Sequence, residues 1–192
     1  MRIKSSALLL VIVLCISMLA GCSAAIPASA ETTVQQSETS APVTTAGSQT
    51  ENGYGSVGAL ADTDLTTEEM LVYAMQDEHL AHGEYAAILK VFDNQNPFAN
   101  IIKAEEKHIA DLGILFGKYK VPVLEDTSIS HVIVPDSVKM ALETGVQAEI
   151  KNIAMYAHFL EQPLPADVKD VFTLLMKGSE SHLAAFQKGL NK

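Results

Sequence analysis

Residues 96–120 read NPFANIIKAEEKHIADLGILFGKYK, and two residues in their middle decide how the chain is to be understood. Phe98, Ile101, Glu105, His108, Leu112, Leu115 and Tyr119 follow one another at alternating steps of three and four, the inward stripe of an amphipathic helix. The stripe is apolar except at Glu105 and His108. A carboxylate moved from water into a core costs on the order of several kcal/mol unless it finds a partner. A helix that aims Glu105 and His108 inward therefore implies partners on other elements.

Working outward, the pattern predicts three more helices, making the fold all-α. The first begins near Thr66, where Thr66 and Glu69 form a capping box, and runs to about Lys90 or Phe92. DNQNP (93–97) breaks it. The second is the quoted stretch, with Pro97 in its first turn, ending near Tyr119 before Val121-Pro122. A third starts around Pro135 or Asp136 and ends by Glu161. The fourth runs from about Pro165 to Leu190 after QPLP. The first and third connections are only a few residues long, so their helices must be antiparallel neighbours. Residues 120–134 form the longer link, giving two antiparallel hairpins joined by one crossover. Val132-Ile133-Val134 has strand character, but a lone strand has no pairing partner here.

Each of the other stripes is also interrupted near its middle. Leu71, Ala74, Ala81, Tyr85 and Ile88 flank Glu78. Val138, Leu142, Gly145, Tyr156 and Leu160 flank Glu149, and Val168, Phe172, Leu175 and Phe186 flank Ser179 and His182. Three glutamates bring three negative charges, which two protonated histidines leave unbalanced. Two divalent cations turn the layer to plus one. Carboxylate oxygens with imidazole nitrogens suit iron, manganese or zinc. Glu105 and His108 are one turn apart, about 4.5 Å along the axis, and can share a metal centre. For Glu78 and Glu105 to stand level, the first helix has to end before Phe92.

A lone Glu on one helix followed by Glu-x-x-His on the next, repeated in the second hairpin, resembles the di-iron or di-manganese carboxylate site of the ferritin-like superfamily. The stretch from about 66 to 190 is similar to an uncharacterised prokaryotic branch of that superfamily, in the segments DEHLAHGEY, AEEKHIADL, TGVQAEIKNI and KGSESHLAAF. The resemblance implies a ferritin-like four-helix bundle with Glu78, Glu105, His108, Glu149 and His182 as metal ligands. It also implies two iron ions, with manganese or zinc sharing the same donors. The implied chemistry is ferrous-iron oxidation or reduction of oxygen or peroxide. One position departs from the pattern: Ser179 stands where a glutamate would complete the second Glu-x-x-His. Glu180 points about 100° away, and His82 lies on a flanking face. Ser179 favours the competing reading, a non-enzymatic metal carrier or a metal-free helical adaptor at the cell surface.

The chain opens with MRIKSSALLLVIVLCISMLAGC, a basic start and a short apolar run that read as an export signal. Leu19-Ala20-Gly21-Cys22 resembles the lipobox of bacterial lipoproteins, which implies a signal peptide over 1–21 and a diacylglyceryl group on Cys22. Residues 22–61, rich in Ser, Thr, Ala, Gly and Gln with no apolar period, read as the lipidated cysteine and a flexible tether. The folded domain is expected over 62–192. Cys15 leaves with the signal, so no thiol remains for a disulfide or a cysteine metal site. The formal charge of -10 becomes -12 without Arg2 and Lys4, which argues against nucleic acid and against a polybasic membrane contact. The expected setting is the extracytoplasmic face of the cell membrane, reached through the lipid alone. Whether the chain forms a homo-oligomer is open from sequence. His79, His131 and His158 read as surface residues, and Tyr73, Tyr85 and Tyr156 as core tyrosines with satisfied hydroxyls.

Overall fold

The computed structural model describes residues 53–93 and 95–192. Among them are five α-helices, a short 3-10 turn at Ser128–Ser130 and no strand: α1 (Gly55–Ala61), α2 (Thr67–Phe92), α3 (Phe98–Tyr119), α4 (Val138–Leu160) and α5 (Ala166–Leu190). The regular structure of the described residues is all helical. Local chemistry sets the ends. The Thr66 hydroxyl accepts from the Glu69 backbone N–H at 3.2 Å while Glu69 accepts from the Thr66 N–H at 2.8 Å, closing the capping box that starts α2. Ser137 caps α4 through the Met140 N–H.

Contacts between helix ends give their directions. The Phe98 ring at the start of α3 packs 5.7 Å from that of Tyr85 in the second half of α2, so the two helices run in opposite senses. Phe186, near the end of α5, reaches Gly145 in the first half of α4, so these two are also antiparallel. Lys118 and Tyr119 at the end of α3 meet Asp167 at the start of α5. The apolar side chains gather in two clusters. One contains Tyr73, Leu112, Phe116, Tyr156, Phe159 and Phe172; the other contains Tyr85, Phe98, Ile101, Leu142 and Phe186. On every long helix the interrupting polar residues fall between the stretches that feed these two clusters, so the polar layer separates them.

Two expectations need correction. Residues up to 61 were assigned to the tether, yet 55–61 form α1, with Gly55, Ser56, Gly58 and Ala59 buried. The helix is short and made of small residues, so it carries no apolar period; its burial comes from close approach to α2 and α4. At Gly55, with φ +56°, an added Cβ would lie 2.6 Å from the Asp77 carboxylate, so only glycine fits. Second, α2 does not stop short of Phe92. Glu78 and Glu105 are level because Phe98 packs opposite Tyr85, inside α2, and the last turn of α2 overhangs. Val132–Val134 form no strand, as the lack of a pairing partner implies.

No helix among the described residues is long and apolar enough to cross a membrane. The signal peptide, Cys22 and most of the expected tether lie outside the described residues.

Candidate metal centre

All five predicted ligands are buried and meet in one layer: Glu78 is 1% exposed, Glu105 2%, Glu149 3%, and His108 and His182 6% each. Their donor atoms form two groups of three, Glu78–Glu105–His108 and Glu105–Glu149–His182, with the atoms of each group within 4.8 Å of one another. Glu105 belongs to both. His108 Nδ1 lies 3.0 Å from Glu78 Oε2 and 3.0 Å from Glu105 Oε2. His182 Nδ1 lies 3.1 Å from Glu105 Oε1 and 3.4 Å from Glu149 Oε1. The rings stack with centroids 5.6 Å apart. His108 turns its Nε2 edge toward Gly178 of α5, where a Cβ would sit 2.7 Å from that nitrogen, which leaves Nδ1 to face the carboxylates.

Two of the three carboxylates, Glu78 and Glu149, are each oriented by a tyrosine from across the layer. Tyr156 donates to Glu78 at 2.6 Å, and Tyr85 donates to Glu149 at 2.8 Å. Tyr85 stands seven residues after Glu78 and Tyr156 seven after Glu149, so the α2–α3 and α4–α5 pairs repeat one plan with their tyrosines exchanged. The repeat fails at Ser179. Its hydroxyl donates to the Asn152 side-chain oxygen at 2.5 Å, Asn152 donates to Asp77 at 2.6 Å, and Asp77 accepts the Ser56 N–H of α1 at 2.6 Å. A polar chain running out to α1 thus occupies the side where the second Glu-x-x-His would bring its carboxylate.

Charge in the layer is unevenly held. Burial pushes Glu78 up to about 8, against the pull of His108. Burial acts upward on Glu105 as well, but hydrogen bonding from His108 and the attraction of the nearby His182 outweigh it and hold this carboxyl down at about 2. Burial opposes protonation of both imidazoles; their carboxylate neighbours prevail and raise His108 to about 10 and His182 to about 9. Burial also raises Glu149 and Asp77. Protons thus stand in for the positive charge that three packed carboxylates require.

The donors fit cations better than they fit one another. His182 Nδ1 is fully buried and, although close to two carboxylates, is aligned to hydrogen-bond with neither. A buried nitrogen in that position costs on the order of 1–3 kcal/mol, and a cation between it, Glu105 and Glu149 would relieve the cost. Hard carboxylate oxygens with neutral imidazoles are the donor set of iron, manganese or zinc.

The remaining sequence readings divide. His82, 3.7 Å from Glu106 on the outer face, takes no part in the layer, and Glu180 is exposed. His79 is half-buried with its Nδ1 3.3 Å from an Asp126 carboxylate oxygen, and His131 is exposed and stacked on Tyr54. Asp77, Asn152 and Gly178 were not singled out. Asp77 follows no stripe because its partner Ser56 lies in a stretch without apolar period. The seven-residue Glu-to-Tyr spacing was visible but reads equally as core packing.

The fold and site define an all-helical protein with a buried Glu/His layer capable of holding metal ions. No protein-family model matches the chain. It is 27% identical over 152 residues to the uncharacterized protein MJ0754 of Methanocaldococcus jannaschii, an alignment covering 70% of this chain and 82% of that protein. The crystal structure of hypothetical protein MJ0754 from Methanococcus jannaschii DSM 2661 aligns with a TM-score of 0.59 at 24% identity, over 68% of this chain and 83% of that one. The shared feature is the helical fold.

Proposed function

We propose that this chain is a ferritin-like four-helix protein, two antiparallel hairpins joined by the 120–137 crossover, lipid-anchored at Cys22 on the extracytoplasmic face of the cell membrane, whose layer holds two metal ions. The observation that carries the reading is the pair of three-residue donor groups sharing Glu105, one of them with a buried imidazole nitrogen that faces two carboxylates without an aligned hydrogen bond. Iron is the preferred ion, and the function is ferrous-iron oxidation or the reduction of oxygen or peroxide. Two irons, when bound, supply the two-electron change these reactions need.

The chain's own residues would divide the remaining work. Glu105 links the two positions and fixes their spacing. Glu78 with His108, and Glu149 with His182, complete one position each. Tyr156 holds Glu78 Oε1 and leaves Oε2 to face His108, while Tyr85 donates to Glu149 Oε1, the oxygen that also faces His182. The two aromatic clusters on either side of the layer keep bulk water out, strengthening each charge interaction within it. Ser179 leaves one side without a carboxylate, where the inner space of about 10 Å³ takes about one water-sized sphere.

The same open side supports a second reading, a carrier that takes up and releases ions without turnover. Metal analysis of the purified protein after ferrous loading tests both. Two irons per chain with consumption of oxygen or peroxide supports the oxidase reading. Stoichiometric iron that exchanges to a chelator without oxidation supports the carrier, and no bound transition metal together with unchanged thermal stability would sink both.

A further inference from the structure

Of two cavities beside α2 among the described residues, one shares wall residues with the polar layer and the other shares none. The larger, about 200 Å³, lies between α2, α3 and the crossover and shares no wall residue with the space inside the layer. The other, about 180 Å³, opens between α2 and α4. Ser56 and Val57 of α1 form part of its wall, and Glu84 and Lys151 lie at its sides. Asp77, Ala81 and Ala148 line both this cleft and the inner space of about 10 Å³ bounded by Glu78, Glu105, Glu149 and Ser179. The inner space has room for about one water-sized sphere.

We propose that the α2–α4 cleft is the entrance by which divalent cations reach the layer, with Glu84 drawing them in and Asp77 passing them through the throat. This rests on the metal-binding reading above. Four features support the route. The throat walls are the small side chains of Ala81 and Ala148, so the constriction is set by Cβ atoms and not by bulky groups. Asp77 is the one charged group common to both spaces, and it carries the polar chain through Asn152 to Ser179 on the side lacking a carboxylate. Glu84 is half-buried and within electrostatic reach of both Asp77 and Lys151. Finally, α1 covers the cleft while resting on α2 through the Gly55 and Ser56 N–H groups, which bind Gln76 and Asp77.

A route for cations requires opposite effects from the two flanking charges. The test is stopped-flow uptake of cobalt(II), read from its visible absorption, together with final occupancy by metal analysis, in the full-length protein. Glu84→Gln should slow uptake at least about threefold at low ionic strength and Lys151→Gln should accelerate it by a similar factor. Final occupancy should be unchanged, and both effects should shrink in high salt. Ala148→Leu, which narrows the throat, should slow uptake about tenfold or more at equal final occupancy. Wild-type rates in all three variants, with full occupancy, overturn the entrance and leave the metal site standing. Slower uptake in Lys151→Gln also overturns it, since the route would then favour anions. A wild-type protein that binds no cobalt(II) overturns the metal reading and the entrance with it. The two charge variants replace partly or fully exposed side chains, so they keep the test decisive even if Ala148→Leu fails to fold.

Discussion

Tyr156 Oη lies 2.6 Å from Glu78 Oε1, a hydrogen bond between helices α4 and α2 in the middle of the protein. It satisfies one oxygen of a carboxylate that is almost wholly buried, and its counterpart from Tyr85 does the same for Glu149. Both phenols are themselves held well above their ordinary pKa, by burial first and by the neighbouring carboxylates next, so they remain donors throughout the physiological range. A buried acceptor that loses its donor costs about 1–3 kcal/mol, and a ligand that loses its orienting partner loses about 10–100-fold in metal affinity. Tyr156→Phe is thus expected to lower apo-protein stability by about 1–3 kcal/mol and to weaken metal binding in that range, with helicity retained. Urea denaturation and a competitive metal titration measure the two effects; a variant as stable and as tight as wild type would show that the hydroxyl does not orient Glu78.

Metal-free protein is expected to lose stability as pH rises through neutrality. Glu78 is raised by burial to about 8, and His108 and His182 are raised to about 10 and about 9 by their carboxylate partners. Between about pH 6.5 and 8 the folded chain therefore binds more protons than the unfolded one, and stability falls by roughly 1.4 kcal/mol per pH unit for each unmatched proton. The histidine contribution is present in full below an unfolded pKa of 6.5 and is lost as pH passes through 9 to 10. Glu105, lowered to about 2 by the two imidazoles despite burial, acts in the opposite sense. Its contribution is present above 4.5 and disappears as pH falls through 2. The apo-protein should be most stable near pH 4.5, where the Glu105 contribution is complete and the loss from Glu78 begins. Bound metal displaces these protons, so the metal-dependent gain in melting temperature should grow with pH. Melting curves from pH 5 to 9, with and without manganese(II), would refute this if the apo curve were flat or rose.

The four long helices and five buried ionisable groups were legible from sequence because each obeys the helical period of its own segment. Glu105 and His108 announce themselves by sitting where Ile101 and Leu112 predict an apolar side chain. What escaped was set by proximity between segments. Gly55–Ala61 has no stripe to read because small residues pack by approach and not by side-chain area, and Asp77 stays hidden with it, since its meaning depends on Ser56. The exchange of Tyr85 and Tyr156 between glutamates is similarly a fact about neighbouring helices, which spacing along one helix leaves undetermined.

Gly178 packs directly against the His108 ring. A Cβ there would stand 2.6 Å from the His108 Cε1, whereas at Gly113 an added Cβ meets nothing within 4 Å. The ring must yield or α5 must move, and such overpacking costs about 1–3 kcal/mol. Gly178→Ala should thus destabilise the protein and cut metal affinity, while Gly113→Ala, a mid-helix glycine in open space, should stabilise it by about 0.5–1 kcal/mol. Thermal melts of the two variants should move in opposite directions; a neutral or stabilising Gly178→Ala would mean that His108 is free to swing away from the layer.

Ser179→Glu asks whether the open side can accept the carboxylate that its mirror position has in Glu105. Without metal the substitution adds a fourth carboxyl to the layer, Glu78, Glu105 and Glu149 being already there, and severs the hydrogen bond from Ser179 to Asn152. Both changes are unfavourable, and an uncompensated buried charge costs about 3–5 kcal/mol, so the apo variant should melt well below wild type. With divalent metal the sign reverses. A second carboxylate shared between the positions brings two cations against four negative charges, a neutral layer, and gives each position another oxygen donor. The variant should hold metal more tightly than wild type, and its melting temperature should rise more on loading. The inner space beside Ser179 is small, about 10 Å³, so the glutamate must displace Asn152 from its bond to Asp77, and the pairing of Asp77 with α1 should loosen as a result. Hydrogen exchange at the Ser56 amide reports that loosening directly. If loaded Ser179→Glu is no more metal-retentive than wild type under chelator challenge, the open side is not part of the coordination sphere, and the layer holds its ions through the five ligands alone.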